Sequence, residues 1–198
     1  MTTLADLLTT SRAFEYRTAV VDALKAAFPE IEVKALPARL DIADLDRKDM
    51  FSPPSFGVAI ARIRPAEDRM SGLRDVPVEI VVYVVVEDRL VGEPPRLAYR
   101  DELGLALCDA VLALVETPAA RWGLSEIGMP QDAEARPILN VMTEDRGTAY
   151  FAVTWWQVLY AQGQPFMDME SPVPLDAMGR AILPGDPDWV PPAAGGMP

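Results

Sequence analysis

The sequence predicts an α+β domain: a mixed, largely antiparallel sheet of about five strands, with two long helices on one face and an extended C-terminal arm. Three observations predict it. Residues 76–86 place a β-branched side chain at every even position, which is the period of a strand. Residues 11–28 and 97–116 repeat apolar side chains three and four apart, the period of a helix. Eight of the 19 prolines fall after residue 163, a density that no helix or central strand survives. A chain of 198 residues suits one domain with an appendage. Its hydrophobic residues make up 50% and its mean hydropathy is +0.09, enough apolar material for a packed core. The domain is read as residues 1–163 and the arm as 164–198.

The elements follow in order. Ala13, Tyr16, Val20, Leu24, Ala27 and Phe28 paint one face of the first helix, which Pro29 stops. Ile31, Val33 and Ala35 alternate with Glu32 and Lys34 in a short strand ending before Pro37. Residues 41–50 read as a polar helical turn or loop. In 55–64, Phe56, Val58 and Ile60 share one face, and small Gly57, Ala59 and Ala61 leave the other open to close approach. A charged loop over 66–75 precedes the central strand 76–86. After Glu93-Pro94-Pro95 breaks the chain, Leu103, Leu107, Ala110, Val111 and Leu114 mark the second helix, ended by Pro118. Strands are expected over 137–142 and 148–161, joined by a turn at Glu144-Asp145-Arg146-Gly147.

Composition removes several function classes. With no histidine, Ser-His-Asp and Cys-His nucleophile systems and His-ligated zinc cannot be built within one chain. The single cysteine, Cys108, forms no internal disulfide; its helical spacing from Leu105 and Leu112 marks it as a small buried hydrophobe. A net charge of −12 repels phosphate backbones and disfavours sequence-specific DNA binding. No apolar run reaches the roughly 18 residues of a membrane span, so no membrane partner is expected. Asp41, Asp44, Asp46 and Asp49 lack the central glycine and closing glutamate of a calcium loop and read as a solvated acidic turn. The glycines stand isolated, without the clustering of phosphate-binding loops. No cofactor, metal or catalytic residue is expected.

Five strands with two helices leave one sheet face in need of cover. In the last strand Phe151, Val153, Trp155 and Leu159 form a core set, while Tyr150, Thr154, Trp156, Val158 and Tyr160 face the other way. With Glu79 and Tyr83, that second side has the aromatic, amphipathic composition of a subunit interface. The expected contact residues are Tyr83, Tyr150, Trp156 and Tyr160, with Arg39 and Arg47 available to an acidic neighbour. Trp189 in the arm is a further anchor. The competing reading is that the arm folds back to cover this face within its own chain.

Four stretches carry a resemblance. They are Thr18-Ala19-Val20-Val21-Asp22-Ala23-Leu24-Lys25-Ala26-Ala27-Phe28-Pro29; Pro37-Ala38-Arg39-Leu40-Asp41 with Leu45 and Arg47 after it; Arg121-Trp122-Gly123-Leu124; and Ala152-Val153-Thr154-Trp155-Trp156-Gln157. Over roughly residues 12–162 the chain resembles the Mu-like phage tail proteins taken to be tail terminators of contractile tails. The resemblance implies a tail-terminator-like fold and a structural, non-enzymatic role in the tail or neck of a virion assembled in the host cytoplasm. It implies a homohexameric ring that caps the tail tube, stops tube and sheath growth, and offers a surface for head-tail joining. The implied partners are further copies of the chain, the tail tube protein, the sheath protein and a connector or neck protein; DNA would pass through the lumen without specific binding. The proline-rich arm departs from the family pattern. The alternatives are another neck or tail completion protein, or a small-molecule-binding α+β domain that uses carboxylates alone.

Overall fold

The computed structural model describes residues 3–39, 51–68, 73–138 and 147–162. A short helix α1 (Leu4–Thr9) opens with a capping box in which Thr3 and Asp6 each bond the other's backbone N–H. Ser11 caps α2 (Arg12–Ala27), whose side chains Tyr16, Val20, Val21 and Leu24 are buried at helical spacing. The strands are β1 (Glu32–Ala35), β2 (Ser55–Ile63), β3 (Glu67–Asp68), β4 (Arg74–Glu87), β5 (Arg89–Val91) and β6 (Arg96–Ala98). They are followed by α3 (Arg100–Val115), a 3-10 turn (Pro118–Arg121), β7 (Gln131–Pro137) and β8 (Thr148–Gln162).

The main sheet runs β1-β2-β4-β8-β7, with β3 added beside β4. Only β1 and β2 are parallel; the other neighbours are antiparallel, so the sheet is mixed and largely antiparallel as expected. The longest strands, β4 and β8, pair from Glu87↔Thr148 to Arg74↔Gln162 and form its spine. Both α2 and α3 pack on one face. There Val78, Ile80, Val82, Val84 and Val86 of β4 meet Phe151, Val153, Trp155 and Leu159 of β8, Phe56 and Val58 of β2, and the buried residues of the two helices. Each such side chain, fully buried, is worth about 1.5–3 kcal/mol, which makes this layer the main source of stability. α3 reaches the sheet closely because Gly104 has no side chain: a Cβ there would overlap the Phe151 ring.

A second, smaller cluster lies on the opposite face. Leu36 and Phe51 close over Gly57 and join Ala59, Val81, Tyr83, Val85 and Ala152. The small residues of β2 therefore admit a covering layer on the side where close approach was expected. This corrects one premise of the sequence reading: part of the second face is sheltered within the single chain, and the helices are not the sole cover.

Other departures have local causes. Of the strand expected at 137–142 only residues 137 and 138 are described, and Pro137 ends a strand that begins earlier, β7 (Gln131–Pro137), whose residues are all exposed. As an edge strand it buries neither face, so no apolar alternation announces it. Residues 97–99 belong to β6 and the helix entry, and α3 starts at Arg100 because the Asp88 carboxylate accepts from the Arg100 N–H at 2.8 Å. The chain break at 93–95 is the turn of the β5–β6 hairpin. The acidic turn at 41–50 and the arm at 164–198 lie outside the described residues.

Candidate partner-binding face

The second face divides along β8. Toward β4's end, Tyr83 is 2% exposed and Tyr150 half-buried, both packed in the small cluster with Leu36 and Phe51. Tyr83 is thus covered by its own chain and is no ready contact surface; the correction follows from the folding of residues 36 and 51 over Gly57. Toward β4's start, Trp156 and Tyr160 are half-buried. The Arg64 guanidinium lies 3.8 Å from the centre of the Trp156 ring, a stacked cation–π contact. Trp156 pairs across the strands with Glu79 on one side and Gln131 on the other. Arg62 Nε stands 3.4 Å from Glu79 Oε2 in an ion pair without hydrogen-bond geometry, since that oxygen has no hydrogen-bond partner. The result is an amphipathic patch: an aromatic plane, two arginines and a mostly buried carboxylate.

This patch is held from behind by a buried polar network. Gln157, 0% exposed, occupies a helix-facing position of β8 that period-two patterning would give to an apolar residue. Its Oε1 accepts from Tyr16 Oη (2.6 Å), Trp122 Nε1 (2.9 Å) and Trp155 Nε1 (3.2 Å). Its Nε2 donates to the carbonyls of Ala120 and Gly128, each at 2.7 Å. Trp155 Nε1 also donates to Tyr16 Oη at 2.9 Å. Every polar atom of the amide is used, so the network stabilises rather than burdens the core. Burial raises the Tyr16 phenol pKa far above its ordinary range, against the lowering effect of Trp155 and Trp122, and keeps it a neutral donor. The network ties α2, the turn after α3 and β8 together directly behind Trp156.

The sequence-predicted residues thus separate. Trp156 and Tyr160 lie toward the same end of the face, Tyr83 and Tyr150 sit in the other half, and Arg39 is exposed in the segment leaving β1. Arg47 and Trp189 lie outside the described residues. Arg62 and Arg64 group in the sequence with Arg69 and Arg74, a pattern that reads as surface charge or as salt-bridging to an acidic neighbour; the stacking of Arg64 on Trp156 and the role of Gln157 have no such reading. The available signal for Gln157 was a polar residue interrupting the alternation Phe151, Val153, Trp155, Leu159.

Other chemistry-bearing groups serve the fold. Cys108 is buried in the helix layer, and burial together with Asp109 raises its thiol pKa to about 11. An open cleft lined by Asp88, Tyr99, Arg100 and Asp101 surrounds the capping contact at the start of α3. Among the described residues no group of three or more Cys, Asp or Glu side chains is placed to hold a metal ion, and no helix is long and apolar enough to cross a membrane.

No protein-family model and no curated protein matches this chain.

Proposed function

We propose that this chain is a structural virion protein, a tail terminator whose copies form a ring on the end of a contractile tail tube. In this role it halts tube and sheath growth and presents a surface for head-tail joining. The observation that carries the reading is where the resembling stretches meet. The stretch 18–29 covers the second half of α2 and its cap and supplies Val20, Val21 and Leu24, 121–124 supplies Trp122, and 152–157 supplies Val153 and Trp155 with Gln157. Three stretches separated in sequence pack around one core, as expected of motifs that specify a shared framework rather than a reaction centre.

On this reading the Trp156–Arg64 patch is the contact for a neighbouring tail component. A half-buried aromatic ring flanked by arginines is the composition from which hot spots are made. A net charge of −12 suits a lumen through which DNA slides without adhering.

The test is capping of tail tubes. Purified protein added to assembled tubes should be seen by electron microscopy as an added ring at one end and should stop further elongation. Trp156→Glu, which leaves the core network in place, should weaken tube binding about tenfold or more. Undiminished elongation in the presence of the wild-type protein would refute the reading.

A further inference from the structure

The register of the sheet sorts the exposed large apolar side chains by end. One end is where β4 begins and β8 finishes. α2 starts there, because Tyr16 bonds Gln157, which pairs with Val78. At this end α1 exposes Leu4, Leu7 and Leu8 at 75, 56 and 63%. Phe14 on α2, Ile63 opposite Val78, and Met129, which follows the Gly128 N–H bond to Val158, are exposed beside them.

The opposite end is where β4 gives way to the β5–β6 hairpin. There Leu90 and Leu97, direct cross-strand partners, are 66 and 48% exposed. Tyr99 and Leu105, at the start of α3, are exposed as well. These two groups account for all ten exposed large hydrophobics among the described residues.

The two groups cannot meet within one chain. From Val78 to Asp88 the strand spans roughly 30 Å. The six-residue α1 extends only about 9 Å from the start of α2. Among the described residues, therefore, neither apolar end is partnered by the other.

The first end is also a shaped surface. Among the described residues, the four non-glycine ones with left-handed backbone, Trp122, Glu126, Asp132 and Ala161, lie there. Specific bonds hold three of them: Trp122 Nε1 to Gln157, the Tyr160 N–H to the Glu126 carbonyl, and the Ala161 N–H to Asp75 Oδ1. A backbone kept in this sparsely populated region by several contacts gives a rigid platform.

Area argues for a protein occupant. At about 100 Å² of apolar surface per fully exposed large side chain, the first end offers roughly 300 Å² and the second roughly 200 Å². A standard interface of about 800 Å² per partner is a little over half apolar, so each end supplies about half or more of that apolar share.

We propose that these ends are the two halves of one head-to-tail contact, in which the α1 end of one copy seats against the β5–β6 hairpin end of the next. Two different surfaces on one chain make a heterologous contact, which closes into a ring when the rotation allows. The inference rests on the ring reading above and adds which surfaces close the ring.

The experiment uses the full chain. Two variants are made, Leu4→Asp with Leu8→Asp at one end, and Leu90→Asp with Leu97→Asp at the other. Circular dichroism checks that each folds, and Leu→Ser versions replace any that do not. Light scattering after size exclusion then gives the mass. The wild type should be oligomeric, and each variant alone should be monomeric, its self-association weakened about tenfold or more. An equimolar mixture should form a one-to-one pair, because each variant keeps the end that the other has lost.

Two outcomes overturn the contact while leaving the ring reading intact: both variants assembling as the wild type does, or the mixture staying monomeric beside an oligomeric wild type. A monomeric wild type overturns both. Assembly through these ends by a protein that does not bind tail tubes upholds the contact and removes the terminator reading.

Discussion

Gln157 is the residue on which most of the core's polar chemistry converges. Three donors, on Tyr16, Trp122 and Trp155, share its oxygen, and two backbone carbonyls take its amide protons. Gln157→Leu keeps the bulk but strips all five bonds from groups that cannot reach water. Leaving buried donors and acceptors unsatisfied costs about 1–3 kcal/mol each, partly relieved by rearrangement, so a loss of about 3–5 kcal/mol is expected in urea unfolding. Cys108 sets a limit at high pH. Its folded thiol pKa is raised from 9.0 to about 11, so the neutral form is the one the fold favours. That contribution is whole below pH 9 and is lost as pH rises toward about 11, because the unfolded chain releases its proton first. The urea midpoint should therefore fall across this window, and Cys108→Ala should reduce the fall. The burial of the cysteine was expected from the sequence, although Leu105, one of the two leucines whose spacing suggested it, is itself exposed. The hub was not legible there, because spacing identifies a position on a face and says nothing of which donors other elements bring to it.

At the scale of elements, the two edges of the sheet are guarded by different means. β1 has four residues and an exposed Lys34–Glu32 ion pair at 3.1 Å, while β7 carries charges, a bulge at Asp132 and Pro137. Short, charged or bulged edges discourage strand addition, which leaves faces and ends as the surfaces open to partners. The second face is closed over half its length by Leu36 and Phe51. Phe51→Ala should cost about 3 kcal/mol in thermal or urea unfolding, since it empties the layer above Gly57. A cost below about 0.5 kcal/mol would show that this layer adds little. α2, α3, β2, β4 and β8 were readable because each buries a face and so carries a period. α1, the β5–β6 hairpin and β7 were not, because an element exposed on its sides has no burial to impose a pattern.

For the whole molecule, the main core is closed between the two helices and the sheet by residues 16–159. A chain ending at Gly163 should therefore remain soluble and melt cooperatively, as followed by circular dichroism. An insoluble truncation would instead give the arm a part in the core. The same view accounts for the distribution of exposed apolar side chains, which gather at the two ends of the sheet. The proposed contact would join these ends, and repetition of such a contact yields a closed assembly or a filament according to its rotation.

The sequence by itself determined the α+β class, the two helices on one face, the spine strands and the core facing of Phe151, Val153, Trp155 and Leu159. These follow from periodicity, which records burial along a single element. Tertiary structure alone decided that Leu36 and Phe51 cover Tyr83, that Arg64 stacks on Trp156, and that the exposed leucines occupy opposite ends. Each of these depends on which distant segments the chain brings side by side, and contacts across so many residues leave no trace in local spacing.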